Sequence, residues 1–540
     1  MSKMGQRRER AFRVGMPWIL CTVLLVAGCT EQAPKKPKEI PQDILLITID
    51  TLRADRLGLY GHEEAATPTF DMLGAQGRRF DAAFTPFPRT TPALATLHTG
   101  RWPQVHGSRE VSRPVRKDLP FLAQLLKEKG FTTLGVSANG AAGERQNMAL
   151  GYDDFVSAHE LKHKGASFVT DAALQLMESR RDDERLFLWV HYIDPHWPYV
   201  RHQDVEMPGP KPDGTCDQLV QYANTNRSHT AHVVSNRDGK SAAALEDCRR
   251  VYDEEVAHVD GQMDRLLKAW AEARGGTLDR TLVITTSDHG ENHGEWDLFY
   301  QHGPNVHDAG LRIPLIFTGP GVEPGVETSI VSLEDVMPTV LSMLDFPEDS
   351  RPPTDGRDLT LATGDAETAG DDRLLYAESG SALLVESFRY ITSGRSNKRN
   401  CLNGPRYSLC EEDDKSLRLY DHVEDPDLSK DLAAVEVEHA RALVRLRRQW
   451  PAESARQRAV RQGRFKLVEI PQLQGGYSTA LFDTETDPME AKDISDEHPE
   501  LTAKLKEALD LWTATLPVHE GLGTLSPEEE QELRALGYID

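Results

Sequence analysis

ILLITID (44–50) is an unbroken apolar run that stops on a carboxylate. A run without polar alternation fits a strand buried on both faces, as in a parallel sheet covered by helices. The pattern recurs. TTLGVSA (132–138) ends at Asn139, RLFLWVHYI (185–193) runs into Asp194-Pro195-His196, and TLVITT (281–286) is followed by Ser287-Asp288-His289-Gly290. IPLIFTG (313–319) reads as a further strand. Helical patterns lie between them at 121–129, 167–181 and 249–273. Strands alternating with helices predict an α/β fold with a doubly wound, mostly parallel sheet. In such sheets ligands bind beyond the carboxyl ends of the strands, and those ends carry Asp50, Asp194, His196, Asp288 and His289.

One Asp after a strand is ordinarily a cap or turn residue. Asp and His after three separate strands read differently, because converging carboxylates are costly without a cation. A metal site is therefore expected. TTPALATLHTGR (90–101) adds a nucleophile. Pro92 suits a first helical residue and Gly100 ends the helix, which puts Thr90 and Thr91 at a helix N-terminus, where unpaired N–H groups favour an anion. A hydroxyl on a metal there becomes an alkoxide; alone, the threonines would read as caps.

The chain has 540 residues, 39% hydrophobic and 27% charged, with a net charge of −24. That charge argues against nucleic-acid partners, since phosphate backbones select clustered Lys and Arg. It leaves room for a small anion at a local cationic site or a metal.

Arg7, Arg8, Arg10 and Arg13 precede the apolar stretch MPWILCTVLLVA (16–27), which is too short to span a bilayer and reads as a secretory signal. Val26-Ala27-Gly28-Cys29 looks like a bacterial lipobox, with the lipid on Cys29. Residues 1–28 are then signal peptide, 29–42 a polar tether, and the expected location is the bacterial cell envelope, lipid-anchored on the periplasmic or outer-membrane side. Cleavage removes five basic residues and one acidic one, taking the net charge to −28. Cys216, Cys248, Cys401 and Cys410 remain in an oxidising compartment. Of their three possible connectivities, neighbour pairing is expected.

Taken together, IDTLRADRLGLYG (49–61), TPTFDMLGAQGRRF (67–80), TTPALATLHTGRWPQVHG (90–107), LWVHYIDPHWPY (188–199), TTSDHGE (285–291) and QHGPNVHDAGLRIPLI (301–316) resemble the sulfatase branch of the alkaline phosphatase superfamily in order and spacing. The resemblance implies an alkaline-phosphatase-like catalytic domain over 43–375 and a smaller C-terminal α+β subdomain over 376–540. It assigns Asp50, Asp288 and His289 as metal ligands, with Thr90 as nucleophile and fourth ligand. His196 and His302 would contact the substrate anion or protonate the leaving group, and Asn139 lies near other substrate contacts. Asp194, His196 and His302 could alternatively hold a second metal.

Departures from the pattern are informative. Sulfatases carry Cys or Ser, converted to formylglycine, within Cys-x-Pro-x-Arg; here Thr90-Thr91-Pro92-Ala93-Leu94 offers neither a convertible residue nor the Arg. Thr51 replaces a second Asp, and no Gly-Lys-x-His segment follows 132–138. A histidine on the metal favours Zn or Mn over Ca. A sulfated threonine would be a stable dead end, whereas a phosphorylated one is cleared by activated water. The expected activity is metal-dependent hydrolysis of phosphodiesters or phosphonate esters through Thr90. The alternatives are a sulfatase working without formylglycine and a non-catalytic binding lipoprotein.

Two accessory features complete the reading. The polar stretch between Tyr199 and Arg249, stapled by Cys216–Cys248, is a substrate lid or a surface insertion. LYDHVEDPDLSKDL (419–432) and LFDTETDPMEAKDI (481–494) form an internal repeat at an offset of 62, preceded by FRYIT (388–392) and FKLVEI (465–470) and each followed by a helical pattern. Two copies are too few for a solenoid and imply a duplicated sheet-plus-helix unit.

Overall fold

The computed structural model describes residues 39–515 except 112, 159–164, 179, 182, 203–204, 227–241, 362–371, 381–382, 385–387, 394–398, 404–406, 412–416, 422–428, 434, 437–455 and 473–475. The signal peptide and Cys29 lie outside the described residues.

The central sheet has eight strands: β1 (Asp43–Ile49), β2 (Arg78–Phe80), β3 (Phe131–Ser137), β4 (Asp154–Val156), β5 (Arg185–Tyr192), β6 (Thr281–Ser287), β7 (Leu315–Thr318) and β8 (Gly325–Glu327). Their order is β8-β2-β7-β6-β1-β5-β3-β4. β1 runs parallel to β5 and β6, and β3 parallel to β5 and β4. Only β7 turns antiparallel, against β6 and β2, so the sheet is mostly parallel as the apolar runs predict.

Helices cover both faces. The helices of the catalytic part include α1 (Pro68–Gln76), α2 (Thr90–Thr99), α3 (Leu122–Glu128), α4 (Ala166–Glu178), α5 (Thr215–Asn226), α6 (Ala242–Ala273) and α7 (Val336–Met343), and α8 (Pro499–Ala514) belongs to the C-terminal part. The alternation of β1 explains its unbroken hydrophobicity. Leu45, Ile47 and Ile49 pack with Val169 of α4 and with Val256 and Leu266 of α6, while Ile44 and Leu46 pack with Leu94 of α2, Leu122 of α3 and Val340 of α7. Every residue of α2 is buried, its threonines and His98 included. That helix starts at Thr90, two residues before Pro92, and ends where Gly100 takes a left-handed φ of 62° that favours glycine.

Cys216 and Cys248 form a disulfide across 32 positions, binding α5 to the start of α6. By loop-entropy reasoning it contributes about 3–4 kcal/mol. Cys216→Ser with Cys248→Ser is expected to lose that amount in denaturant unfolding. Cys401 stands opposite Cys410 in the strand register, and Cys410 is disulfide-bonded.

Among the described residues, the C-terminal part holds two antiparallel sheets. One joins β9 (Leu375–Glu378) to β15 (Arg458–Gln462), β16 (Phe465–Pro471) and β17 (Tyr477–Asp483); the other comprises β10 (Leu383–Leu384), β11 (Phe388–Ser393), β12 (Arg399–Asn403), β13 (Tyr407–Glu411) and β14 (Leu417–Asp421). β9 straddles the expected 375/376 boundary. Val460, Leu467 and Leu481 pack on Leu505, Leu509 and Trp512 of α8, and Ala459, Val468 and Phe482 pack on Phe84, Val306 and Leu311 of the catalytic part.

The duplication is visible in the hydrogen bonds. The Leu419 amide donates to Asp431 at 3.1 Å and the Leu481 amide to Asp493 at 3.0 Å, each carboxylate reaching back twelve residues. Leu432 N–H bonds Leu419 O, and Ile494 N–H bonds Leu481 O, at 2.7 and 2.9 Å. In each copy the residues after the strand therefore come back onto it, fastened by an Asp. One detail differs from expectation: Leu419 pairs with Leu409 as Leu481 pairs with Leu467, so β13, not FRYIT, is the counterpart of FKLVEI. The helical pattern after the first copy falls outside the described residues.

Candidate metal and nucleophile site

Register brings the ligands together before any side chain is considered. Ile49 pairs with Ser287 on one side and Tyr192 on the other, so Asp50 and Asp288 leave adjacent strand ends side by side. One donor atom each from Asp50, Asp288 and His289 lies within 4.8 Å of the others, all three residues buried. His289 Nε2 is 3.7 Å from Asp50 Oδ1 and 3.4 Å from Asp288 Oδ2. Thr90 Oγ1 is 3.4 Å from the same nitrogen, at the first residue of α2.

The surrounding bonds fix each group. His289 Nδ1 lies 2.9 Å from the Gly290 carbonyl, so Nδ1 carries the hydrogen and Nε2 the lone pair. Asp288 Oδ1 accepts from the amides of His289 and Thr51 at 2.7 and 3.2 Å. Thr51 holds φ at 54°, an unusual value for a β-branched residue; its carbonyl accepts from Tyr252 Oη at 2.8 Å. Asn139 Nδ2 donates to Asp50 Oδ2, while Asn139 Oδ1 accepts from the Ala141 amide. Gly290 is required by close approach, since a Cβ there would sit 2.0 Å from the Ala309 carbonyl oxygen.

This arrangement fits a divalent cation. Lone pairs from a neutral imidazole, two carboxylates and a hydroxyl face one another, and Asp288 Oδ2 is buried with no hydrogen-bond donor among the described residues. Burial, with the charge of Asp50 added, pushes the Asp288 carboxyl well above its usual range. Burial lowers His289 to about 4, against the pull of Asp50, keeping it a neutral donor.

The two threonines separate. Thr91 Oγ1 donates to the Ala141 carbonyl at 2.6 Å and is 3.1 Å from the Val111 carbonyl, so it ties α2 to neighbouring loops. Thr91→Val is expected to cost about 1 kcal/mol in thermal unfolding and to keep turnover within a few-fold.

His196 and His302 are beside the cluster. Their rings are 4.9 Å apart and His302 is 4.5 Å from the His289 ring. Both are buried deeply enough to be held below the ordinary histidine range. The alternative second-metal set of Asp194, His196 and His302 divides: His196 and His302 stay here, whereas Asp194 groups with His202 and Glu255.

Three neighbours escaped sequence reasoning. His191 Nε2 is 3.6 Å from Asp50 Oδ2, with Nδ1 held 2.9 Å from Thr48 Oγ1. Glu291 Oε1 is 3.2 Å from His302 Nδ1, and Tyr199 Oη bonds Glu291 Oε2. Glu291 directly follows the Asp288-His289-Gly290 motif, a usable signal. His191 sits inside an apolar strand, where nothing local marks it.

A family model described as Sulfatase matches residues 42–346. The chain belongs to the sulfatase family. It is an ester hydrolase of the alkaline phosphatase superfamily, whose members bind a divalent metal and act on small anionic esters. An arylsulfatase of Clostridium perfringens is 23% identical over 364 residues, covering 55% of this chain and 74% of that one. A choline-sulfatase of Rhizobium meliloti is 22% identical over 401 residues, covering 64% and 76%. Among solved structures, a protein in complex with its substrate D-glucosamine-2-N,6-O-disulfate superposes with a TM-score of 0.57 at 17% identity, covering 88% of this chain and 98% of that one. A phosphonate monoester hydrolase of Agrobacterium radiobacter gives 0.56 at 18% identity, covering 88% and 95%. This sulfatase-family hydrolase thus shares its fold with enzymes on both sides of the sulfur–phosphorus divide, and its substrate must be argued from its own residues.

Proposed function

We propose that this enzyme hydrolyses phosphodiester or phosphonate esters, with Thr90 as nucleophile and one divalent ion, Zn or Mn, held by Asp50, Asp288, His289 and the Thr90 oxygen. The observation that carries the reading is Thr90 Oγ1 at 3.4 Å from His289 Nε2, the position where a sulfatase would need a formylglycine that threonine cannot form. The ion supplies Lewis acidity toward the Thr90 oxygen and the non-bridging ester oxygens. Thr90 Oγ1 gives up its proton and attacks phosphorus, the bond to the leaving oxygen breaks, and the rest of the phosphate ester or phosphonate stays on Thr90 as its ester. His302, neutral and oriented through Nδ1 by Glu291, takes the Thr90 proton at Nε2 and passes it to the departing oxygen. His196 sets its Nδ1 against the Trp197 carbonyl, which makes Nε2 the accepting nitrogen, suited to take the proton of the water that clears Thr90. Asn139 and His191 hold Asp50 in place.

The test is turnover of aryl phosphodiesters, phosphonate monoesters, phosphomonoesters and aryl sulfates with Zn2+ or Mn2+ supplied. Phosphodiesters or phosphonates should lead, with the substrate's phosphate-ester or phosphonyl group trapped on the Thr90 peptide in quenched reactions. A clear preference for aryl sulfates would establish the alternative, a sulfatase without formylglycine. Chelator treatment should abolish turnover, and chelator-insensitive background rates would favour a binding lipoprotein. The same reading keeps the enzyme at the cell envelope through lipid on Cys29; Cys29→Ala should move it from the membrane to the soluble fraction.

A further inference from the structure

The loop after β5 carries His196 and Tyr199, and its two ends meet. One donor atom each from Asp194, His202 and Glu255 lies within 4.8 Å of the others. Glu255, on α6, is 1% exposed. Each carboxylate has one oxygen fastened to a backbone amide: Asp194 Oδ2 accepts from Ala166 at 2.5 Å and Glu255 Oε1 from Val200 at 2.5 Å. Glu255 Oε2 is buried with no hydrogen-bond partner among the described residues. The nearby guanidinium does not serve it, since Arg201 pairs with Glu254 at 2.7 Å. Neither Asp194 nor Glu255 forms an ion pair with Lys or Arg among the described residues. The His202 ring lies flat on that of His258, with centroids 4.0 Å apart and planes 7° apart, and His258 is itself held by Ser167 at 3.2 Å.

A buried carboxylate with an unanswered oxygen, beside a second that is partly buried, is stabilised by a positive partner. An imidazole beside them turns a general demand for cation into a mixed nitrogen–oxygen donor set, which suits first-row divalent ions over Ca or Mg. We propose that Asp194, His202 and Glu255 bind a second divalent cation of the Zn or Mn class, separate from the Thr90 site, that clasps the His196 loop onto α6. Its ligands bracket the loop from Asp194 to His202, so the ion ties both loop ends to one helix and positions His196 and Tyr199 between them.

The test counts metal. The full mature chain is stripped by dialysis against chelator and titrated with Zn2+, and separately with Mn2+, by calorimetry, with metal content measured by mass spectrometry. The wild type should take two equivalents. Glu255→Gln and His202→Ala should each take one, as should Asp288→Asn, and Glu255→Gln combined with Asp288→Asn should take none. Glu255→Gln keeps the shape of the side chain; His202→Ala, outside the helix, carries the test if circular dichroism shows the first variant misfolded. A wild type with one equivalent that only Asp288→Asn removes overturns the second site and leaves the Thr90 site standing. Two equivalents retained in either Glu255→Gln or His202→Ala overturns it as well. Loss of the Thr90-site metal alone would count against that site without touching this one.

Discussion

Thr90→Ala is expected to lose about 10⁴-fold or more in turnover of the best ester, the scale on which removing a covalent nucleophile acts. Thr90 makes one of the four contacts assigned to the metal, and Asp50, Asp288 and His289 remain, so bound metal should persist in the variant. Fold should persist too, because Thr91 makes the bonds that tie this end of the helix to the Ala141 and Val111 carbonyls. Thr90→Ser restores an oxygen and should recover part of the rate. Measuring kcat and metal content on the same preparations separates the cases. A Thr90→Ala chain with full metal and wild-type turnover would remove Thr90 from the chemistry.

Lys466→Met carries the largest expected loss of stability, about 3–5 kcal/mol, the range for breaking a buried ion cluster by deleting one member. The side chain is 1% exposed. Its Nζ donates to Asp308 Oδ1 at 2.7 Å, Glu490 Oε1 at 2.5 Å and the Val306 carbonyl at 3.0 Å. Arg461 also reaches Asp308, at 2.6 Å, so Asp308 keeps a partner while Glu490 loses its cation. The cluster joins β16 and the second copy of the repeat to the segment preceding β7. Urea unfolding should report the loss as a lower midpoint. A midpoint within experimental error of wild type would mean that the cluster contributes nothing net, its Coulomb gain cancelled by desolvation.

Most of the central sheet is readable from the chain, for a reason visible in β1. A strand buried on both faces leaves an apolar run whose end marks the carboxyl edge, and Asp50, Asp194 and Asp288 each stand just past such an end. Antiparallel β7 could not be distinguished from a parallel strand, because its burial on both faces gives the same run. The repeat was legible as letters, Asp431 answering Asp493, yet its strand partner was misplaced. FRYIT resembles FKLVEI in composition, and only the register shows that β13 fills that role.

The amino-acid order alone fixed which residues had chemistry to offer: carboxylates and imidazoles after buried strands, and two threonines at a helix start. Tertiary structure chose among them. It aimed Thr90 at His289 and sent Thr91 to a carbonyl, kept His196 and His302 together, and drew Asp194 off to His202 and Glu255. It also brought in Glu291, next to the Asp288-His289-Gly290 motif, and His191 and Tyr199, which no local pattern singles out. The division follows from what sets each property. Burial periodicity is written into neighbouring residues, whereas the direction of one hydroxyl or carboxylate depends on backbone groups as far as 237 positions away, which meet only when the sheet and helices have packed.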